Sequence, residues 1–325
     1  MRRRRRRSET SRRGRPSPAW RAALLGLAFA AGCGGTPEPD PRYRPTESVL
    51  EVVAVLHRHV PDDTYRLPPA HDYTGRNVYR ASLLRLENLE RAHPGLGSGV
   101  LDDVIAFAKG RALERLRAFE LAATSYRRAA ETPGELRDQA LRSAALCDAL
   151  AEAQGLGSED ALGAPADLPS RLAALDVRVA KLAALEQQAG ASHYVAIVRE
   201  EIEHAQVARA NLVVAARGLS PDGDLRALAA LQQLVVDQRE SKNANTHLLS
   251  LADLYAELAR EYVDANPPAS LGFDPPRFEE LVDSAARLYE SVANQDGAPE
   301  KLEANQKLEA FLAFTLRVDR DRFTP

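Results

Sequence analysis

The sequence predicts an all-α protein built from antiparallel helices that are joined by short turns. Three observations support this fold class. Ala, Leu, Arg and Glu dominate the composition, and all four tend to form helices rather than strands. Apolar residues recur at spacings of three and four, whereas the alternating runs that indicate strands are rare. Clusters of proline and glycine then divide the chain into segments of helix length.

The first 32 residues have the composition of an export signal. Ten arginines, including the run Arg2 to Arg7, precede an apolar stretch that extends from Ala22 to Gly32. A basic segment, a short apolar segment and small residues at a cleavage point form the signal-peptide pattern. The apolar stretch is much shorter than the roughly 20 residues of a transmembrane helix. The sequence therefore predicts that residues 1–32 are a signal peptide.

The apolar stretch ends in Ala30-Ala31-Gly32-Cys33, which resembles the lipobox of bacterial lipoproteins. The resemblance implies cleavage before Cys33, acylation of that cysteine and a lipid anchor in a membrane. Ala30 stands where these signals commonly carry Leu. Gly34 follows the cysteine, and in lipoprotein sorting a residue other than Asp implies the outer membrane, with the protein facing the periplasm. The alternatives are a plain leader, a cytosolic basic tail, and a true start downstream of Met1.

The balance of charge argues against binding to nucleic acid. The ten leader arginines all precede the expected cleavage point, and residues 33–325 carry 33 basic and 45 acidic side chains. Binding to phosphate backbones depends on clustered Lys and Arg. The sequence after the leader has no basic stripe interleaved with aromatic residues. We therefore expect no nucleic-acid partner.

The remaining chain is expected to be a tether followed by two helical regions. Residues 33–45 are rich in Gly and Pro and are predicted to be a flexible tether behind the acylated cysteine. Residues 46–155 form an N-terminal helical region, 156–168 a linker and 169–325 a C-terminal helical region. The predicted helices begin at Pro45 and then cover 76–92, 100–116, 118–131, 135–154, 169–189, 192–217, 224–241, 246–264, 276–293 and 299–316, and a turn-rich loop covers 60–74.

Small and aromatic residues recur at matched positions on two pairs of these helices. The first set is Gly110, Leu113, Ala122, Tyr126 and Ala129, and the second is Leu248, Leu251, Ala252, Tyr255, Ala285, Tyr289 and Val292. Both sets resemble the tetratricopeptide repeat (TPR), a helix hairpin whose copies stack into a solenoid. Ala106 stands where the TPR pattern usually has a large residue, and about 20 extra residues interrupt the second set. A generic helical bundle is the alternative.

The TPR resemblance implies a function and a set of contact residues. TPR solenoids bind peptides or protein domains along a wall made by their first helices. Carried over by position, the implied partner-binding residues are Phe107, Arg111, Glu114 and Arg115 in the first hairpin and Leu249, Asp253 and Glu257 in the second. The expected function is that of an envelope lipoprotein that serves as a scaffold for other envelope proteins or peptides. We expect no enzymatic activity, no cofactor and no small-molecule substrate.

Two further functions are weighed against the scaffold: a helical-bundle enzyme or metal-binding protein, and a purely structural spacer. The pairs Glu90/His93 and Glu201/His204 have the Glu-x-x-His spacing of metal-binding helices. His93 precedes Pro94 and so is expected to end a helix, where a cation interacts favourably with the helix dipole without any metal. Cys147 has no partner once Cys33 is acylated, and its apolar surroundings predict a buried side chain rather than a nucleophile.

Overall fold

The computed structural model describes residues 44–63, 78–96, 99–157, 167–190 and 192–323. These residues form eleven α-helices. In chain order the helices are α1 (Pro45–Asp63), α2 (Val78–Ala92), α3 (Asp102–Arg115), α4 (Phe119–Glu131), α5 (Arg137–Gly155), α6 (Leu168–Ala189), α7 (Tyr194–Ala215), α8 (Gly223–Asp237), α9 (Ala244–Ala265), α10 (Pro275–Ala293) and α11 (Lys301–Phe323).

The prediction of an all-α protein is confirmed, since the described residues contain helices and no strand. Most predicted helix ends lie within two residues of the observed ones, and three differ by four residues or more. Helix α1 runs to Asp63 and so includes residues 60–63, which the prediction placed in the loop 60–74. Helix α8 ends at Asp237 rather than at 241, and in the turn that follows the Ser241 hydroxyl accepts a hydrogen bond from the Asn243 backbone N–H. Side-chain bonds of this kind compete with a continuing helix. Helix α11 runs to Phe323 rather than to 316, and Val318 in its last turns is buried.

Several predicted segments lie outside the described residues. These are the signal peptide 1–32, Cys33, nearly all of the tether 33–45, and the loop 60–74 after Asp63, where α1 ends. No helix among the described residues is long and apolar enough to cross a membrane.

Helices that follow one another in sequence form the extensive contacts of the fold. From α2 to α11, each helix contacts the next one, and α9 also contacts α11. The buried apolar side chains form four clusters in the same order. The first lies among α1, α2 and α3, the second among α3 to α7, the third among α7, α8 and α9, and the fourth among α9, α10 and α11. Consecutive clusters therefore share a helix.

One buried apolar cluster includes helices from both of the predicted helical regions. Leu150 and Ala153 of α5 belong to the same buried cluster as Leu182 of α6 and Ile197 of α7. Residues 46–325 accordingly form one compact unit. Most of the predicted linker 156–168 lies outside the described residues, and α6 begins at Leu168, still within it. A segment rich in proline and glycine between two helices does not require a break in the core.

Gly110 allows α3 and α4 to approach closely, as its position in the sequence predicts. A Cβ atom at Gly110 would lie 2.7 Å from Cε1 of the Tyr126 ring. The ring has no room to move, because the Tyr126 hydroxyl donates a hydrogen bond to Glu114 and Phe107 contacts the ring edge-on. The second matched pair of helices, α9 and α10, also packs through its small and aromatic residues, which include Ala252, Ala285 and Tyr289.

We predict that Gly110→Ala destabilises the protein by about 1–3 kcal/mol, because the added methyl group overpacks against a fixed ring. The higher helix propensity of Ala offsets this by about 1 kcal/mol at most. Urea denaturation at neutral pH measures the change. Gly155→Ala is the matched control, since nothing lies within 4 Å of a Cβ atom there. Equal stability of the two variants would contradict the close approach of α3 and α4.

Candidate functional site

Three of the residues implied by the first TPR-like hairpin cluster on α3. Phe107 is half-buried, and its ring centroid lies 5.1 Å from that of Tyr126. The Arg111 guanidinium lies 5.7 Å above the Phe107 ring and also contacts the Glu114 carboxylate. Arg115 lies 5.6 Å from the centre of the Tyr79 ring of α2, so it faces another neighbour. The structure thus brings Phe107, Arg111 and Glu114 together.

Glu114 is buried inside the protein rather than placed at a binding surface. Its carboxylate accepts hydrogen bonds from the Tyr126 hydroxyl at 2.7 Å and the Tyr194 hydroxyl at 2.8 Å, and His193 Nε2 lies 3.0 Å away. Burial alone would raise the pKa of Glu114. The contacts with His193, Arg111 and Tyr126 outweigh burial, so its pKa lies below the usual value. The carboxylate joins α3, α4 and α7, which corrects its implied role as a direct contact with a partner.

The residues implied by the second hairpin occupy three different environments on α9. Leu249 is 3% exposed and belongs to the apolar cluster of α9 to α11, so burial excludes direct contact with a partner. Asp253 is half-buried and accepts hydrogen bonds from the Tyr289 hydroxyl and from Lys307 Nζ. Glu257 is exposed and forms an ion pair with Arg217 at 2.9 Å. The binding roles of Phe107, Arg111, Arg115, Asp253 and Glu257 stay predictions.

Glu201 on α7 is a second buried carboxylate, and it holds two guanidinium groups. Arg117, in the turn between α3 and α4, donates to it through Nε at 2.5 Å and through a terminal nitrogen at 3.0 Å. Arg178 of α6 donates at 3.0 Å. Burial opposes the charged form, but the proximity of His204 and the hydrogen bonds from Arg117 dominate and lower the pKa of Glu201 to about 2. Glu201 is therefore ionised at neutral pH.

These contacts show that the Glu201 carboxylate of the Glu201/His204 pair binds arginines of the protein itself. The described residues contain no group of three or more His, Cys, Asp or Glu side chains with the arrangement of a metal site. In the other Glu-x-x-His pair, Glu90 is bound by Lys109 of α3. Both glutamates are thus engaged by cations of the protein itself.

Glu203, two residues after Glu201, binds residues of α9 and of the turn that precedes it. Its carboxylate contacts His247 Nε2 of α9 at 2.7 Å and accepts hydrogen bonds from Ser241 at 2.7 Å and Asn243 at 3.1 Å. Burial alone would raise the pKa of Glu203, but the bonds from His247, Ser241 and Asn243 lower it. Helix α7 therefore connects to α6 and the α3–α4 turn through Glu201, and to α9 through Glu203.

Cys147 confirms the prediction of a buried thiol. Its side chain is fully buried in the second apolar cluster, and it forms no disulfide. Burial, followed by the negative charge of Glu114, raises its pKa well above the usual value. Since the thiolate is the reactive form of cysteine, this thiol is unreactive at neutral pH.

The surface contains an apolar groove of about 390 Å³ between α6, α7 and α8, which we call the arginine-lined groove. Its apolar lining residues are Leu168, Leu172, Val213, Ala216, Ala229 and Ala230. The charged lining residues are Arg209, Arg217 and Arg226, from α7, the turn after α7, and α8. Sequence reasoning missed this groove, because these three arginines share no helix and no regular spacing.

No protein-family model matches the chain, and a search of curated proteins found no match to it.

We predict that Glu201→Gln destabilises the protein by about 3 kcal/mol at pH 7, because Arg117 and Arg178 lose their buried counter-charge. The folded pKa lies below the unfolded value of about 4.3, so the contribution of this charge is present above that pH. It is lost as the pH falls toward 2. Urea denaturation of both proteins between pH 7 and pH 2 should therefore show a difference that shrinks with acid.

The control for this prediction is Glu152→Gln, which removes an exposed glutamate paired with Lys181. Exposed ion pairs contribute about 0–1 kcal/mol, so this variant should differ little from the wild type at any pH. A Glu201→Gln defect that is constant from pH 7 to pH 2 would contradict the low pKa of Glu201.

Proposed function

We propose that the helical region from residue 46 onward is a protein-interaction scaffold with TPR-like helix hairpins. The observation that carries this proposal is the sequential packing of α2 to α11, in which each helix contacts its neighbours in the chain. Such packing is typical of helical repeats and leaves one face of successive helices available to partners. The small and aromatic residues of the pairs α3/α4 and α9/α10 support the same interpretation.

The buried charges support a scaffold rather than an active site. Glu114, Glu201 and Glu203 are each bound by donors from at least two other segments of the chain. A general base or a metal ligand needs a free lone pair that faces a substrate or an ion. Carboxylates that accept several bonds from Arg, Tyr, His, Ser or Asn side chains instead hold helices in fixed positions. Partner binding benefits from this rigidity, because less conformational freedom is lost on association.

We further propose that the scaffold is tethered to a membrane through an acylated Cys33. The sequence of residues 22–35 supports this proposal. Helix α1 begins at Pro45, so the chain between the anchor and the first helix spans at most about 40 Å when extended. The outer membrane is the proposed location, with the helices in the periplasm and other envelope proteins or peptides as partners.

The anchor is tested by Cys33→Ser, which we expect to move the protein from the membrane fraction to the soluble fraction of disrupted cells. Mass spectrometry of the wild-type protein should show an acylated N-terminal cysteine and the loss of residues 1–32. Cys147→Ser is the matched control and should stay with the membrane, because Cys147 is buried among the helices. A Cys33→Ser protein that remains membrane-bound would overturn the proposed anchor.

The scaffold function is tested by photo-crosslinking in intact cells. A photoreactive amino acid is placed at Glu257, an exposed position implied by the second hairpin, and in a second protein at Arg115. We expect discrete, light-dependent adducts with other envelope proteins. If neither these two positions nor other surface positions yield an adduct, the protein is a spacer. If the purified protein instead contains iron or zinc at near-unit stoichiometry, it is a metal-binding protein.

A further inference from the structure

Arg111, Glu114 and His193 contact one another at a single point of the fold. Arg111 Nη1, Glu114 Oε1 and His193 Nε2 form a triangle in which each atom contacts the other two. Nη1 lies 3.2 Å from Oε1, and Oε1 lies 3.0 Å from Nε2. The second oxygen of Glu114, Oε2, accepts hydrogen bonds from the hydroxyls of Tyr126 and Tyr194. Oε1 is therefore the oxygen that a guanidinium and an imidazole share.

The Nε2 atom of His193 cannot bond to both of its neighbours in one protonation state. A carboxylate oxygen only accepts hydrogen bonds, and an arginine N–H only donates them. A neutral ring with its proton on Nδ1 accepts a hydrogen bond from Arg111 and has no proton to give to Glu114. A protonated ring donates to Glu114 through Nε2 and places a second positive charge against Arg111. The gain of one proton therefore exchanges one of these bonds for the other.

We propose that protonation of His193 releases the Arg111 guanidinium from this cluster and thereby changes the surface that Phe107 and Arg111 offer to a partner. This inference rests on the proposed scaffold function, in which both residues are contact residues. With His193 neutral, the three clustered groups carry one positive and one negative charge. With His193 protonated, two cations share the Glu114 carboxylate, and the two like charges repel each other.

Arg111 is the member of the cluster that can move. Its side chain is 21% exposed, whereas the Glu114 side chain is fully buried and is held by two tyrosine hydroxyls. The His193 side chain is 24% exposed, so it exchanges protons with solvent, and its ring lies 4.0 Å from that of Tyr194. The Arg111 guanidinium lies 5.7 Å above the Phe107 ring. When Arg111 turns into solvent, this face of Phe107 becomes accessible.

The other titratable groups around His193 keep their charge state near neutral pH. They are Arg111 and Glu114 on α3, Tyr126 on α4, Cys147 on α5 and Tyr194 on α7. Burial, followed by the charge of Glu114, raises the pKa of Tyr126, Cys147 and Tyr194. Burial opposes the charges of Arg111 and Glu114, but Glu114 raises the pKa of Arg111, and bonds from His193 and Arg111 lower that of Glu114. Histidine is the residue type that ordinarily changes its charge between about pH 8 and pH 5.

The release of Arg111 is tested by fluorine NMR of the full-length protein, purified in detergent, with 4-fluorophenylalanine in place of phenylalanine. The Phe107 signal is assigned by its absence from the spectrum of Phe107→Leu. We expect this signal to shift between pH 8 and pH 5 with a single midpoint, because a cation leaves the face of the ring. The signal of Phe119, a buried ring on α4, should stay constant. A Phe107 signal that does not depend on pH would overturn the proposal.

Three variants assign the shift to the cluster. His193→Gln should abolish it, because the amide accepts from Arg111 and donates to Glu114 at every pH. Arg111→Gln should also abolish it, since no cation then leaves the Phe107 ring. His57→Gln replaces an exposed histidine on α1 and, as the control, should keep the shift. A shift that persists in Arg111→Gln would come from the charge of His193 alone and would overturn the release of Arg111.

Crosslinking in cells separates this proposal from the scaffold function on which it rests. A photoreactive residue replaces Val104, three positions before Phe107 on α3, and the cells are suspended at pH 7.5 or pH 5.5. We expect about fivefold more adduct at pH 5.5, the factor by which two unit charges about 4 Å apart in water shift an equilibrium. His193→Gln should remove this difference. If Val104 yields equal adducts at both pH values, the proposal fails and the scaffold function stands. If no surface position yields an adduct at either pH, both fail.

Discussion

The arrangement of the helices depends on one buried carboxylate, Glu201 on α7. It holds Arg117 from the turn between α3 and α4 and Arg178 from α6, so it fixes three segments that are distant in sequence. Such a group contributes more to the uniqueness of the arrangement than to net stability, because desolvation of the charges offsets much of their attraction. Any packing that separated these groups would leave an unpaired charge in the interior. Arg117 even adopts a left-handed backbone conformation, with φ of 61°, in reaching this position.

Helix α7 is therefore the central element of the described fold. Glu201 faces α6 and the α3–α4 turn, and Glu203 faces α9, while Tyr194 at the start of the helix donates to Glu114 on α3. The apolar residues of α7 contribute to both the second and the third cluster. Polar and apolar contacts thus connect α7 to helices before and after it, including α3, which is about 80 positions away in the sequence.

The sequence predicted those features that depend on short-range patterns. Helix periodicity and breaker residues were sufficient for the fold class and for most helix boundaries, and the apolar neighbours of Cys147 were sufficient for its burial. The burial of Glu114 could not be predicted, because two of its partners, His193 and Tyr194, are about 80 positions away. A charged residue on an amphipathic helix is expected to face solvent unless distant donors enclose it. The arginine-lined groove escaped prediction for the same reason, since its walls come from three helices.

Rigidity of the helices has a direct consequence for the proposed scaffold. Arg217 is held by three carboxylates and by the close packing of Gly223, so the turn after α7 is fixed against the start of α8. A preformed site saves the partner the free energy of ordering the site. In the proposed function, acylation of Cys33 would also hold the protein near one membrane and would raise the effective concentration of partners there. Weak binding would then be sufficient, because proximity would replace part of the affinity that a free protein needs.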